Sequence, residues 1–284
     1  MANLLDLTTQ KWVRITGKKL SLDKEPWLKS PIGNDDIIGD SYIQNLIKEQ
    51  GLSKKENQDD FGLIDDWSQF NLSQDEWKKL NPKVKDFYQH TAKYSMEVWS
   101  EWCGVFKPFG ILLQRLFSRR LRQLNLPTSS LDFSRGMESN IIKLFKNGQP
   151  VHTIWYRKIN ASQEVIYSGV YKPIQKENQG FLKVTFPLPN GNAQVLMRKE
   201  VLDGGALLLS SDGKKFGESG FYFTLRNQRG NWWVKHVKSM HEWIKVFEDE
   251  KGILRAEHIL HFHGAKFLEL HYKMTPISPL NQGI

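Results

Sequence analysis

The chain lacks a second cysteine: Cys103 stands alone among 284 residues, so no disulfide can form within the chain. Such sparing thiol use fits a reducing compartment, and a cytoplasmic location is expected. Long apolar runs are also missing. Nowhere do about eighteen apolar residues follow one another, the length an α-helix needs to span a bilayer. The start, "MANLLDLTTQKWVRITGKKL", has no basic segment leading into an apolar one, so no secretory signal is expected. A Gly-rich phosphate loop with its lysine, a G-x-S-x-G elbow and a G-x-G-x-x-G turn after a strand are all absent. "HEWIK" at His241 offers one histidine where a zinc-protease helix needs two. Zinc-finger spacing, the aromatic run of an RNA-binding sheet and a basic zipper are missing too, which argues against nucleic acid as a partner.

Charge and aromatics are what the chain has. Its net charge is +9, with 39% hydrophobic and 25% charged residues, the proportions of a globular protein rather than a disordered one. A positive balance favours anionic partners without choosing among them. Ten Trp, eight Tyr and sixteen Phe supply rigid surfaces for a core or for an apolar ligand.

Residues 1–80 read as an irregular, partly helical leader: "EPWLKSPIGNDD" and "GLSKKENQDDFG" punctuate it, and "SYIQNLIKEQ" predicts one short helix. Residues 81–127 read as a helix pair packed on a sheet formed by the rest of the chain. Asn81 suits an N-cap and Pro82 the first helical position. Val84, Phe87, Tyr88, Thr91, Tyr94, Val98 and Trp102 then keep three-and-four spacing, which predicts one helix running on to Trp102. The second helix is "FGILLQRLFSRRLRQLNLP", with Leu112, Leu113, Leu116 and Phe117 on one face and Arg115, Arg119 and Arg122 on the other. Leucines buried and arginines in water is the plainer reading; transient contact of those arginines with an anionic membrane surface is the sharper one.

From residue 137 to 274 the period changes to two. Runs such as "VHTIWYRKI", "EVIYSGVY", "GFYFTLRN" and "RAEHILHFHG" recur, separated by turn signals including Asn147-Gly148, Asn190-Gly191 and Lys251-Gly252. Connections this short make an antiparallel meander the natural arrangement. About ten such strands would leave open edges unless the sheet curls or closes. Residues 275–284 read as a tail.

The densest chemical stretch is "EHILHFHGAKFLELHYK". With a two-residue turn at Gly264-Ala265, His261 would face Leu268 and Glu257 would face Tyr272 on one side, with His258 opposite His271 on the other. A metal at His258 and His271 needs a third ligand that the sequence does not identify, so no metal is expected. An apolar wall with a few polar groups is the pattern of a ligand cavity. Trp155, Tyr167, Tyr171 and Trp232, with Glu257, His261 and Tyr272, are the candidate lining residues. Histidines half-exposed on an ordinary strand are the plainer alternative. Arg157, Arg198 and Arg226 could bind a carboxylate or phosphate inside the sheet, and a solvated outer face is the plainer reading.

"SRRLRQLNLP", "VIYSGVY", "VTFPLPNGNA" and "FGESGFYF" resemble stretches of an uncharacterised bacterial protein family that shares this helix-pair-then-strands order, over roughly residues 87–274. The resemblance implies no activity and carries no catalytic residues across. The expected fold is α+β, an N-terminal helical region followed by a large, mostly antiparallel, barrel-like or strongly curved β-sheet. The expected function is non-enzymatic binding of an apolar or lipid-like ligand in the curved sheet, without a cofactor. An enzyme with a polar site in the same cavity, and a membrane-peripheral or protein-interaction module using residues 109–124, are the alternatives.

Overall fold

A computed structural model describes residues 4–33, 41–104, 137–159 and 165–277. Its frame is one sheet of 14 strands. These are β1 (Lys18–Leu20), β2 (Ser53–Glu56), β3 (Tyr94–Trp102), β4 (Met137–Lys146), β5 (Gln149–Ile159), β6 (Val165–Lys176) and β7 (Gln179–Leu188). They continue with β8 (Gly191–Val201), β9 (Leu207–Ser210), β10 (Gly220–Arg226), β11 (Trp232–Val237), β12 (Met240–Glu248), β13 (Leu254–Phe262) and β14 (Ala265–Pro276). The helices are α1 (Leu4–Thr16), α2 (Ser41–Gln50), α3 (Gln74–Lys79) and α4 (Pro82–Gln89), with short 3-10 turns between elements.

The main path runs β2-β4-β5-β6-β7-β8-β9-β12-β13-β14-β3, and its ladders are antiparallel. Tight turns set the order. Asn147-Gly148 and Glu177-Asn178 both hold positive φ, as a two-residue loop matching the strand twist requires. Strand β8 divides: Gly191 to Leu196 pair with β10, while Arg198 to Val201 pair with the four-residue β9. From this fork β10, β11 and β1 form a branch. Among the described residues no ladder joins the end strands β2 and β3, so the sheet curves strongly without closing. Val98 of β3 and Val184 of β7 nonetheless line one cavity on its concave side.

The expected long helix is corrected here. Asn81 caps α4 as read, its side chain accepting from the Lys83 amide at 2.8 Å, but the helix stops at Gln89. Tyr94–Trp102 is strand β3, pairing with β14 from Pro276 back to Leu268. Tyr94, Met96 and Val98 are buried while Ser95, Glu97 and Trp99 are exposed, so the same residues satisfy period two. Covering the polar edge of β14 decides between the two periods. The expected helix at 109–124, with Arg115, Arg119 and Arg122, lies outside the described residues.

The leader is not apart from the sheet. Phe61, Leu63, Ile64, Trp67 and Phe70 share one core with Val184 of β7 and Met274 of β14. Helix α2 buries Tyr42, Ile43 and Leu46 against Ile142, Leu144, Ile154 and Val170 on the convex face. At roughly 1.5–3 kcal/mol for each large apolar side chain taken out of water, these contacts fix α2 to the sheet. Its tyrosine also finds a polar partner, the Ser168 hydroxyl at 2.9 Å.

Candidate functional site

Alternation along each strand decides which side chains reach the concave face. On β5 these are Trp155 and Arg157, on β6 Tyr167 and Tyr171, on β7 Leu182, Val184 and Phe186. The facing wall comes from Glu242, Ile244 and Val246 on β12, Ala256, His258 and Leu260 on β13, and Leu270, Tyr272 and Met274 on β14. Phe87 and Tyr88 of α4 also reach it. Between them lies a cavity of about 160 Å³.

The motif "YSGVY" shapes one corner of it. Tyr167 and Tyr171 point to the same side, and their hydroxyls meet at 2.6 Å across Gly169. A Cβ on Gly169 would stand 2.9 Å from the Tyr167 hydroxyl oxygen, so glycine is what lets that ring lie along its own strand. Trp155, directly opposite Gly169 in the ladder, donates from Nε1 to the Ser139 hydroxyl at 2.8 Å.

Polar groups converge on this apolar wall. Arg157 is 7% exposed, and its guanidinium lies 4.3 Å from the ring centres of both Trp155 and Tyr167. Each such contact stabilises a desolvated cation by roughly 0.5–2 kcal/mol. Its buried Nε has no hydrogen-bond partner among the described residues. Across the cavity Glu242, 6% exposed, meets His258 with Oε2 to Nε2 at 2.8 Å. His258 stands opposite Ile244 in the ladder, so the pair forms diagonally. Burial pushes the phenols of Tyr88, Tyr167, Tyr171 and Tyr272 upward; at Tyr167, Tyr171 and Tyr272 the Arg157 charge opposes that shift, and Tyr272 also accepts a hydrogen bond from the guanidinium. These tyrosines therefore face the cavity as neutral hydroxyls.

Of the candidate lining residues, Trp155, Tyr167, Tyr171 and Tyr272 stand on the cavity wall. Trp232, Glu257 and His261 do not. Trp232 sits on the β11 branch, pairing with Leu20 and Arg226. The other two are displaced by a corrected register. The turn is His263-Gly264, both at positive φ, and the ladder shifts once more between Leu260 and His261. His261 consequently pairs with Lys266 and lies edge-on to Trp243, with ring centres 4.8 Å apart, instead of facing Leu268. Glu257 faces His271, and His258, expected outside, turns inward. Glu242 is the polar wall residue that the sequence reading missed, while Arg157 and His258, read preferentially as facing outward, line the cavity. Parity carried the signal: Leu254, Ala256, His258 and Leu260 form the more apolar register of β13, and His258 is its polar exception.

No family model matches the chain. It is similar to a protein of Bacillus subtilis (strain 168) described as "Uncharacterized membrane protein YndJ", with 28% identity over 245 residues. The match covers 85% of this chain and 42% of that protein, so the chain spans less than half the relative's length. This agrees with the resemblance to uncharacterised bacterial proteins. No solved structure matches. Among the described residues no helix is long and apolar enough to cross a membrane.

Proposed function

We propose that this chain binds a small apolar or lipid-derived molecule in the cavity of its curved sheet, and does so without catalysing a reaction. The observation that carries the reading is the composition of the cavity wall: aromatic rings and aliphatic side chains enclosing about 160 Å³, with a few polar groups among them. A site of that kind gains affinity from apolar burial and orientation from its polar groups. The likeness to part of a protein described as a membrane protein supports a working place beside a bilayer, from which apolar molecules come. We place the described region on the cytoplasmic side, in keeping with its single cysteine. Native mass spectrometry of the full chain purified from its own host tests the reading. A bound small molecule, absent in Val184→Trp, is the expected result; ligand-free protein that also fails to bind added 1-hexanol would refute it.

A second reading is favoured by one contact. Glu242 and His258 form a buried carboxylate–imidazole pair on the cavity wall, beside the Tyr272 hydroxyl, and such a pair can hold and move a proton. An enzyme built on it would convert the bound molecule, and would lose turnover but keep binding in His258→Gln. Chemical change of the co-purified molecule on incubation separates this reading from the first.

A further inference from the structure

We infer that the molecule held in this cavity is a small apolar monocarboxylic acid, its carboxylate set against the Arg157 guanidinium and its tail along the apolar wall. The inference rests on the cavity being an apolar ligand site and adds the charge, the polar end and the size of the occupant.

A buried cation is costly unless it is paired. Arg157, 7% exposed, has the faces of Trp155 and Tyr167 at 4.3 Å and a hydrogen bond to the Tyr272 hydroxyl, but rings do not satisfy the rest of its in-plane N–H edge, and Nε has no acceptor among the described residues. Among the described residues lining the cavity Glu242 is the one carboxylate, and His258 engages it at 2.8 Å. The guanidinium edge is a fork that a carboxylate fits with two parallel hydrogen bonds. Of the Tyr167 and Tyr171 hydroxyls, 2.6 Å apart, one donates to the other, which leaves the second hydroxyl's hydrogen for a further acceptor. A phosphate dianion is disfavoured, because no lysine and no second arginine lines the cavity among the described residues. Size is set by volume. A dry cavity of about 150 Å³ takes benzene, so one of about 160 Å³ suits an occupant of roughly six to ten non-hydrogen atoms.

Calorimetric titration of the full chain with hexanoate, 1-hexanol and hexylamine tests this at matched tail length. Hexanoate is expected to bind at least about tenfold tighter than 1-hexanol, the worth of a charged hydrogen-bonded pair, and hexylamine weakest. Arg157→Gln should erase the advantage of hexanoate while leaving 1-hexanol binding in place. If Arg157→Gln does not fold, Glu242→Gln decides: it removes the opposing charge and should strengthen hexanoate severalfold without changing 1-hexanol. Equal affinity of hexanoate and 1-hexanol, equal changes for both in Glu242→Gln, or tight hexylamine binding would overturn the carboxylate and leave the apolar site standing. Absence of binding by all three at millimolar concentration would overturn the apolar site itself.

Discussion

The convex face of β7 and β8 and the concave face of β5 both bury polar side chains, yet they use them in opposite ways. On the convex face Lys183 donates to the carbonyls of Trp27 at 2.7 Å and Lys29 at 3.0 Å, and Gln194 to that of Leu28 at 2.8 Å. Asn192 donates to the Pro31 carbonyl at 3.0 Å, and Thr185 to the Ser30 hydroxyl at 3.1 Å. Residues 27–33 thus cross the sheet as a strap whose backbone groups are satisfied by side chains. On the concave face Arg157 is also buried, and its Nε has no partner among the described residues. The convex donors are answered by the chain itself, whereas the Arg157 donor on the cavity wall is the one that the proposed ligand would meet.

Lys183→Met should break the convex side of this contrast most severely. It leaves the carbonyls of Trp27 and Lys29 buried without that donor, a loss of about 2–4 kcal/mol measurable by urea unfolding. Acidification comes next. Burial, helped by Lys172 and Lys183, lowers the pKa of His152 to about 4. A base with a depressed folded-state pKa is protonated first in the unfolded chain. Stability is therefore full above the unfolded value near 6.5 and falls as pH drops from there toward about 4. The loss attributable to His152 is on the order of 2–3 kcal/mol, read as the difference between the native chain and His152→Gln across that window.

On the concave side Gly169→Ala should cost about 1–2 kcal/mol, because its Cβ displaces the Tyr167 ring tip and with it the bond to Tyr171. The smallest effect belongs to the exposed ion pair Lys29–Asp23, with side chains 55% and 85% exposed. Lys29→Ala should change stability by less than about 0.5 kcal/mol, since water and salt screen such pairs. A large loss there would mean that the strap is held by its charges and not by the side-chain bonds of β7 and β8.

The plan of the molecule was legible where local chemistry is strong. Period-two runs and the turn at Asn147-Gly148 predict the antiparallel meander that the structure has. Where two periods fit one stretch, tertiary context decided: Tyr94, Val98 and Trp102 satisfy a helix as well as a strand, and the open edge of β14 took them. Four of the seven candidate lining residues were equally legible, because Trp155, Tyr167, Tyr171 and Tyr272 are large rings on the buried parity of their strands. The hairpin was misplaced by a single residue, enough to exchange His258 for His261 and Glu257 for Tyr272's true partner, Ala256. Arg157 resembles a surface arginine until Trp155 of its own strand and Tyr167 of β6 are placed beside it.

The central claim is that Arg157 is kept for a ligand and not for the fold. Equilibrium urea unfolding of Arg157→Met tests it most directly. Methionine keeps apolar contact with Trp155 and Tyr167 and removes the desolvated charge, so stability should stay within about 1 kcal/mol of the native chain or rise. A loss of about 3 kcal/mol or more, matching Lys183→Met, would contradict it and make Arg157 a packing residue like those of the strap.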